Sequence, residues 1–155
     1  MKAAIIAIGS EMLGPTRVDT NSLKITTALE EFGIEVVRKS VVGDRLDDLA
    51  AEMKFSFDQA DMLFVTGGLG PTEDDLTREA LTKAFDLEMR VEQSIIDRIE
   101  QRFAARGWKM PEVNKKQAQI FVGQTTLMND RGTAPGFHIE TRGKQLWVFP
   151  GVPHA

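Results

Sequence analysis

Met62-Leu63-Phe64-Val65-Thr66-Gly67-Gly68-Leu69-Gly70-Pro71-Thr72-Glu73-Asp74-Asp75-Leu76-Thr77 joins an apolar run, a glycine-rich turn and the start of a helical pattern. In that pattern Leu76, Ala80, Leu81, Ala84 and Phe85 share a face. Strand, turn and helix in this order suit an anion. Glycines let backbone N–H groups come close to a ligand, and a helix N-terminus adds partial positive charge. Thr72 with Asp75 three residues on reads as an N-cap and its capping-box partner. Asp74 and Asp75 are the unusual part, because a phosphate pocket tolerates two carboxylates when a cation is bound or a proton or water is handled. The plain alternative is a tight bend whose acids favour the helix start. The spacing matches neither Gly-x-x-x-x-Gly-Lys-Ser/Thr nor Gly-x-Gly-x-x-Gly, so the turn alone does not choose.

Working outward, Lys2 to Ile8 is a continuous apolar run, the pattern of a strand covered on both faces. Gly9-Ser10-Glu11 ends it. Asp19-Thr20-Asn21-Ser22 supplies capping residues for a helix striped by Leu23, Ile25, Thr26, Leu29 and Phe32, which Gly33 stops. Val36-Val37 and Val41-Val42 mark a second strand. It ends at Gly43-Asp44, where Asp44 is placed to cap a helix carrying Leu46, Leu49, Ala50, Met53 and Phe57. Three strand–helix units predict an α/β fold with a largely parallel sheet. Glu11, Asp44 and the 66–75 stretch then fall at the carboxyl ends of strands, where such sheets bind ligands.

Past Phe85, Gln93 to Arg106 is amphipathic, with Ile95, Ile96, Ile99 and Phe103 on one side. Asn114 to Ala118 opens a short helix whose lysines either face solvent or lie over the glycine-rich edge. Thr126 to Met128 reads as a short strand and Asn129 to Gly136 as a shaped loop. Phe137–Glu140 and Leu146–Phe149 flank a turn and read as a hairpin.

The 155 residues fit one domain, with a formal charge of −4 and no cysteine. The acidic balance, with a pI near 5.2, argues against nucleic acid as the main partner. Disulfides and thiolate chemistry are excluded. Two histidines, His138 and His154, do not make a histidine-rich zinc site, so a metal here is expected to be a hard cation on oxygens. No apolar run of membrane-spanning length and no signal-peptide layout occur, so neither a membrane partner nor export is expected, and a cytoplasmic location is.

Gly9-Ser10-Glu11-Met12-Leu13, Asp19-Thr20-Asn21, Val42-Gly43-Asp44, Gly67 to Thr77, Asn114 to Ala118, Asn129, Gly132 to Phe137 and Pro150-Gly151-Val152-Pro153 together resemble the amino-terminal domain of the CinA family. That domain is similar to the molybdopterin-binding domains of the MogA/MoaB group. The form Gly-Gly-Leu-Gly-Pro-Thr-x-Asp-Asp-x-Thr is the CinA variant; the cofactor-biosynthesis relatives usually show Gly-Gly-Thr-Gly. The resemblance implies a three-layer α/β/α sandwich with a mostly parallel sheet. It implies a pyrophosphatase, dependent on magnesium, manganese or cobalt, that splits ADP-ribose into AMP and ribose 5-phosphate. The alternative it leaves is a module that binds a pterin phosphate or nucleotide without catalysis, or a structural domain of a longer protein. A homo-oligomer, a dimer in the first instance, is also implied.

Carried onto this sequence, the resemblance implies that Thr66, Gly67, Gly68, Gly70, Pro71, Thr72 and Asn129 contact substrate, with Pro135 and Gly136 shaping the adjoining wall. Asp44 and Asp75 match the two functional acids of the group, and with Glu11 and Asp74 form the expected metal set. Lys116 is expected to stabilise charge on a phosphate. Gly14-Pro15 departs from the Leu-Gly pair common in the family. Family members continue well past Pro-Gly-x-Pro, often into an amidase domain, so the resemblance implies a domain truncated near its end with no amidase portion.

Overall fold

Alternation along three strands builds the two faces of the sheet. In β1 (Lys2–Ile8) Ala4, Ile6 and Ile8 enter one core while Ala3 and Ile5 enter the other. In β3 (Met62–Thr66) Leu63 and Val65 join the first and Phe64 the second. β8 (Lys144–Phe149) repeats this, with Leu146 and Val148 against Trp147 and Phe149. This is the period-two geometry of a strand covered on both sides. These relations come from a computed structural model, which describes residues 1–151. Val152, Pro153 and His154 lie outside the described residues.

The remaining elements are α1 (Thr20–Glu31), β2 (Glu35–Val42), α2 (Leu46–Gln59), α3 (Thr77–Phe85), β4 (Met89–Val91), α4 (Gln93–Ala104), β5 (Gln119–Phe121), β6 (Thr125–Leu127) and β7 (Gly136–Thr141). Short 3-10 turns cover Ser10–Leu13 and Glu112–Ala118. Six strands form one sheet in the order β2-β1-β3-β8-β7-β6. β2, β1, β3 and β8 run parallel, and β7 and β6 are antiparallel to their neighbours. α2, α3 and α4 bury their apolar faces on one side, and α1 lies on the other through Leu29 and Ile25. The fold is the expected three-layer α/β/α sandwich with a mostly parallel sheet. No helix among the described residues is long and apolar enough to cross a membrane.

Several local expectations change. Leu23 and Phe32 are 56% and 79% exposed, because α1 has no helical neighbour on its face and only a narrow stripe reaches the sheet. Asp44 does not cap α2, whose N-cap is Arg45 without a side-chain bond. Its carboxylate instead accepts from the Ser10 amide at 3.1 Å, while its own amide donates to Ser10 Oγ at 3.2 Å. Thr72 does not cap α3, which begins at Thr77 with Leu76 as its N-cap; in the turn ahead of it Thr72 donates its amide and Oγ1 to Asp75 Oδ2, and the Asp75 amide donates to the Thr72 carbonyl. The small β4–β5 ribbon is not expected from its three-residue strands.

Candidate functional site

In the order β2-β1-β3 the chain leaves β1 towards one edge and β3 towards the other, which opens a crevice at their carboxyl ends. The glycine turn fills the floor of that crevice. Gly67 donates its amide to the Phe149 carbonyl at 3.0 Å, and Thr77 Oγ1 donates to the Gly67 carbonyl at 2.7 Å. Gly67 and Gly68 have φ of 99° and 69°. A side chain at Gly67 would overlap the Ile8 carbonyl, and one at Gly68 would overlap Thr77 Oγ1. These glycines therefore let β1, β3, β8 and α3 meet. The next amides serve differently: those of Gly68, Leu69 and Gly70 have no hydrogen-bond partner among the described residues. Successive free N–H groups at such a turn make an anion cradle.

A cavity of about 620 Å³ stands over this cradle. Of the predicted residues, Glu11, Thr66, Gly67, Gly68, Gly70, Pro71 and Asp75 line it. Asp75 Oδ2 accepts from the Thr72 amide at 2.9 Å and from Thr72 Oγ1 at 2.8 Å. A Cβ at Gly70 would lie 2.6 Å from that same oxygen, so Gly70 is small in order to admit the carboxylate. Thr72 itself is exposed and holds Asp75 from outside the cavity.

The expected four-acid cluster is not assembled. Among the described residues no three acidic or histidine side chains are grouped to hold a metal. Glu11 and Asp75 share the cavity, Asp44 is engaged with Ser10, and Asp74 is exposed outside the lining. Two carboxylates still fit a hard cation such as magnesium, which keeps several waters and is commonly held by one or two carboxylates plus substrate phosphates.

Lys116 also has another task. Its ammonium donates to the Thr72 carbonyl at 3.0 Å and to the Asp75 carbonyl, and pairs with Glu79 at 3.3 Å. The lysine thus lies over the glycine-rich edge, but it braces the 72–75 turn and is absent from the cavity lining. The other Glu79 oxygen is buried without a partner among the described residues. Asn129 braces the loop that follows it, donating to the Ala134 carbonyl at 3.2 Å and accepting from the Arg131 amide at 3.0 Å. Asn129 and Gly136 line a neighbouring recess, and Pro135 is buried outside the cavity.

Sequence reading did not single out Arg17, Asp19, Asn21, Gln117 or Thr133 as site residues, yet all five line the cavity. Asp19 caps α1 by accepting from the Ser22 amide at 3.0 Å, and that task alone accounts for its place in the sequence. Asn21 donates to the Gly151 carbonyl at 2.8 Å, a contact that spans 130 positions and leaves no local signal. Arg78 is the other omission. Fully buried, it donates to the carbonyls of Leu69 and Gln119 at 3.1 Å each and of Gln117 at 3.5 Å. Burial pushes its pKa down to about 10, against the opposing charges of Glu79 and Asp75. It ties the glycine turn to the segment bearing Lys116.

Comparison with known proteins agrees with this layout. Residues 4–155 match the family described as "Probable molybdopterin binding domain". The chain is 49% identical over 154 residues to a CinA-like protein of Solibacter usitatus, and 42% identical over 153 residues to a putative competence-damage inducible protein of Caldicellulosiruptor saccharolyticus. In each case the match takes in 99% of this chain and 37% of the relative, so the chain spans well under half their length. The solved CinA of Thermoplasma acidophilum superposes with a TM-score of 0.88 at 31% identity, over 98% of this chain and 89% of that one. MoaB of Pyrococcus furiosus shares the fold at 18% identity, with a TM-score of 0.58 over 97% of this chain and 82% of that one. The chain belongs to the molybdopterin-binding domain family, in its CinA-like branch.

Proposed function

We propose that the chain is a divalent-metal-dependent pyrophosphatase acting on ADP-ribose-like dinucleotide pyrophosphates. One observation carries this reading: Gly68, Leu69 and Gly70, whose amides have no hydrogen-bond partner among the described residues, line the same cavity as Glu11 and Asp75. The amides suit phosphate oxygens, and the carboxylates suit a cation and a water. A cation held by Glu11, Asp75 and the phosphates would neutralise charge on the anhydride.

The chain's own residues do the rest. The amides of the turn orient one phosphate, and the Thr72 bonds hold the Asp75 carboxylate through Oδ2, leaving Oδ1 for the cation or the water. Water adds to one phosphorus, the bridging P–O bond breaks, and AMP and ribose 5-phosphate leave with the proton passing to solvent or to Asp75. Positioning supplies most of the acceleration expected of phosphoryl transfer.

The test is AMP release from ADP-ribose with magnesium, manganese or cobalt. Asp75→Asn keeps an acceptor for Thr72, so the fold is expected to hold while turnover falls roughly 100-fold or more. Absence of AMP release with any of the three metals, from ADP-ribose or from FAD, would sink the reading. That of the four expected acids Glu11 and Asp75 line the cavity while Asp44 and Asp74 do not favours a second reading, a domain that binds a nucleotide or pterin phosphate without catalysis. Tight calorimetric binding with no turnover would establish it.

A further inference from the structure

A second recess, of about 420 Å³, adjoins the glycine cavity. Arg102, Arg106, Arg131 and Trp108 line it, with no carboxylate among its lining residues. On a chain of formal charge −4 that is an uncommon concentration of cations. Gly132 and Thr133 line both cavities, so the two meet across one short stretch of backbone.

Contacts between α4 and the 129–131 loop hold the wall of the recess in shape. Arg98 pairs with Asp130 at 2.7 Å, and Arg102 donates to the Asp130 carbonyl at 2.9 Å. The Arg131 amide donates to Asn129 Oδ1 at 3.0 Å, which sets the backbone that carries the Arg131 side chain. Arg106 and Arg131 have no ion pair among the described residues. Trp108, four residues past the end of α4, is 61% exposed. Exposed indole beside unpaired guanidinium groups suits a flat, electron-rich ring attached to an anion, since both side chains stack on such rings and arginine also meets phosphate.

We propose that this recess is a base subsite: it stacks the adenine-like ring of a nucleotide on Trp108, with Arg106 and Arg131 flanking it, while the phosphates extend past Gly132 and Thr133 to the glycine turn. The inference rests on the pyrophosphatase reading for its substrate but not for its test.

In a Trp147→Phe background Trp108 is the sole tryptophan. AMP should then quench its fluorescence saturably, ribose 5-phosphate should not, and Arg106→Ala with Arg131→Ala should abolish the quench. In the assay with ADP-ribose, Trp108→Ala should raise KM about tenfold with kcat within twofold, while the melting temperature stays unchanged. Quenching by AMP without any turnover would uphold the subsite and defeat the pyrophosphatase. Turnover with KM unmoved by Trp108→Ala would do the reverse. Equal quenching by ribose 5-phosphate, or a dimer in sedimentation that Trp108→Ala dissociates, would overturn the subsite.

Discussion

The two sides of the glycine turn are opposites. Around the cavity, the three successive amides of Gly68, Leu69 and Gly70 have no hydrogen-bond partner among the described residues. Behind the turn, Arg78 spends its guanidinium on three carbonyls and Lys116 its ammonium on two carbonyls and Glu79. One stretch of chain is thus over-determined from the rear and unsatisfied in front. An unsatisfied polar group is costly when buried and tolerable when a ligand or water reaches it. The contrast separates what holds the turn from what the turn holds.

The sharpest way to break that contrast is at Gly67. Alanine there must accept φ near 99° and overlap the Ile8 carbonyl, which is backbone and cannot step aside. Strain and overlap together should cost roughly 3 kcal/mol or more, lowering the melting temperature and removing any phosphate binding with it. A Gly67→Ala protein that melts normally would show that the strand ends do not meet as closely as described.

That same close approach marks the limit of what sequence shows. The three-layer sandwich was legible because β1 and β3 are apolar on both faces and each feeds a capped or glycine-started helix. The floor of the site was legible because Gly67, Gly68 and Gly70 are adjacent in the chain. What sequence hid was compensation over distance. Asp44 looks like a helix cap and is instead tied to Ser10, 34 positions away. Lys116, whose spacing leaves solvent and the glycine-rich edge equally open and which only the resemblance assigns to a phosphate, is engaged by carbonyls more than 40 positions away. Arg78 sits on a helix in a pattern where arginine usually faces water, yet it is fully buried. Local spacing reports which groups can reach a neighbour along the chain, not which are already engaged across it.

Lys116 tests the rear side directly. Lys116→Met removes a cation from two carbonyls and leaves Glu79 unpaired, so stability should fall by roughly 1.5 kcal/mol, seen in denaturant midpoints. Affinity for AMP, measured below the melting range, should change less than threefold. Were Lys116 a phosphate contact, the pattern would invert, with stability intact and affinity lost.

The smallest effect belongs to a network remote from the turn, where every charge has its answer. Glu52 on α2 pairs with Arg38 on β2 at 3.0 Å and accepts from Ser56 Oγ at 2.8 Å. Partial burial works to raise its pKa, but the bonds from Arg38 and Ser56 outweigh it and hold the carboxyl below its ordinary 4.5. The folded protein then binds fewer protons here than the unfolded chain at mildly acidic pH. The stability this supplies is present above about pH 4.5 and is lost as pH falls through the folded value. Glu52→Gln should therefore cost roughly 0.5–1 kcal/mol at neutral pH and flatten the acid limb of the stability curve, because the glutamine does not titrate. Phosphate affinity should not move at all. If it did, the paired network and the unpaired cradle would be coupled through β1, and the sheet would have to be treated as one electrostatic unit rather than as a scaffold with a site at its end.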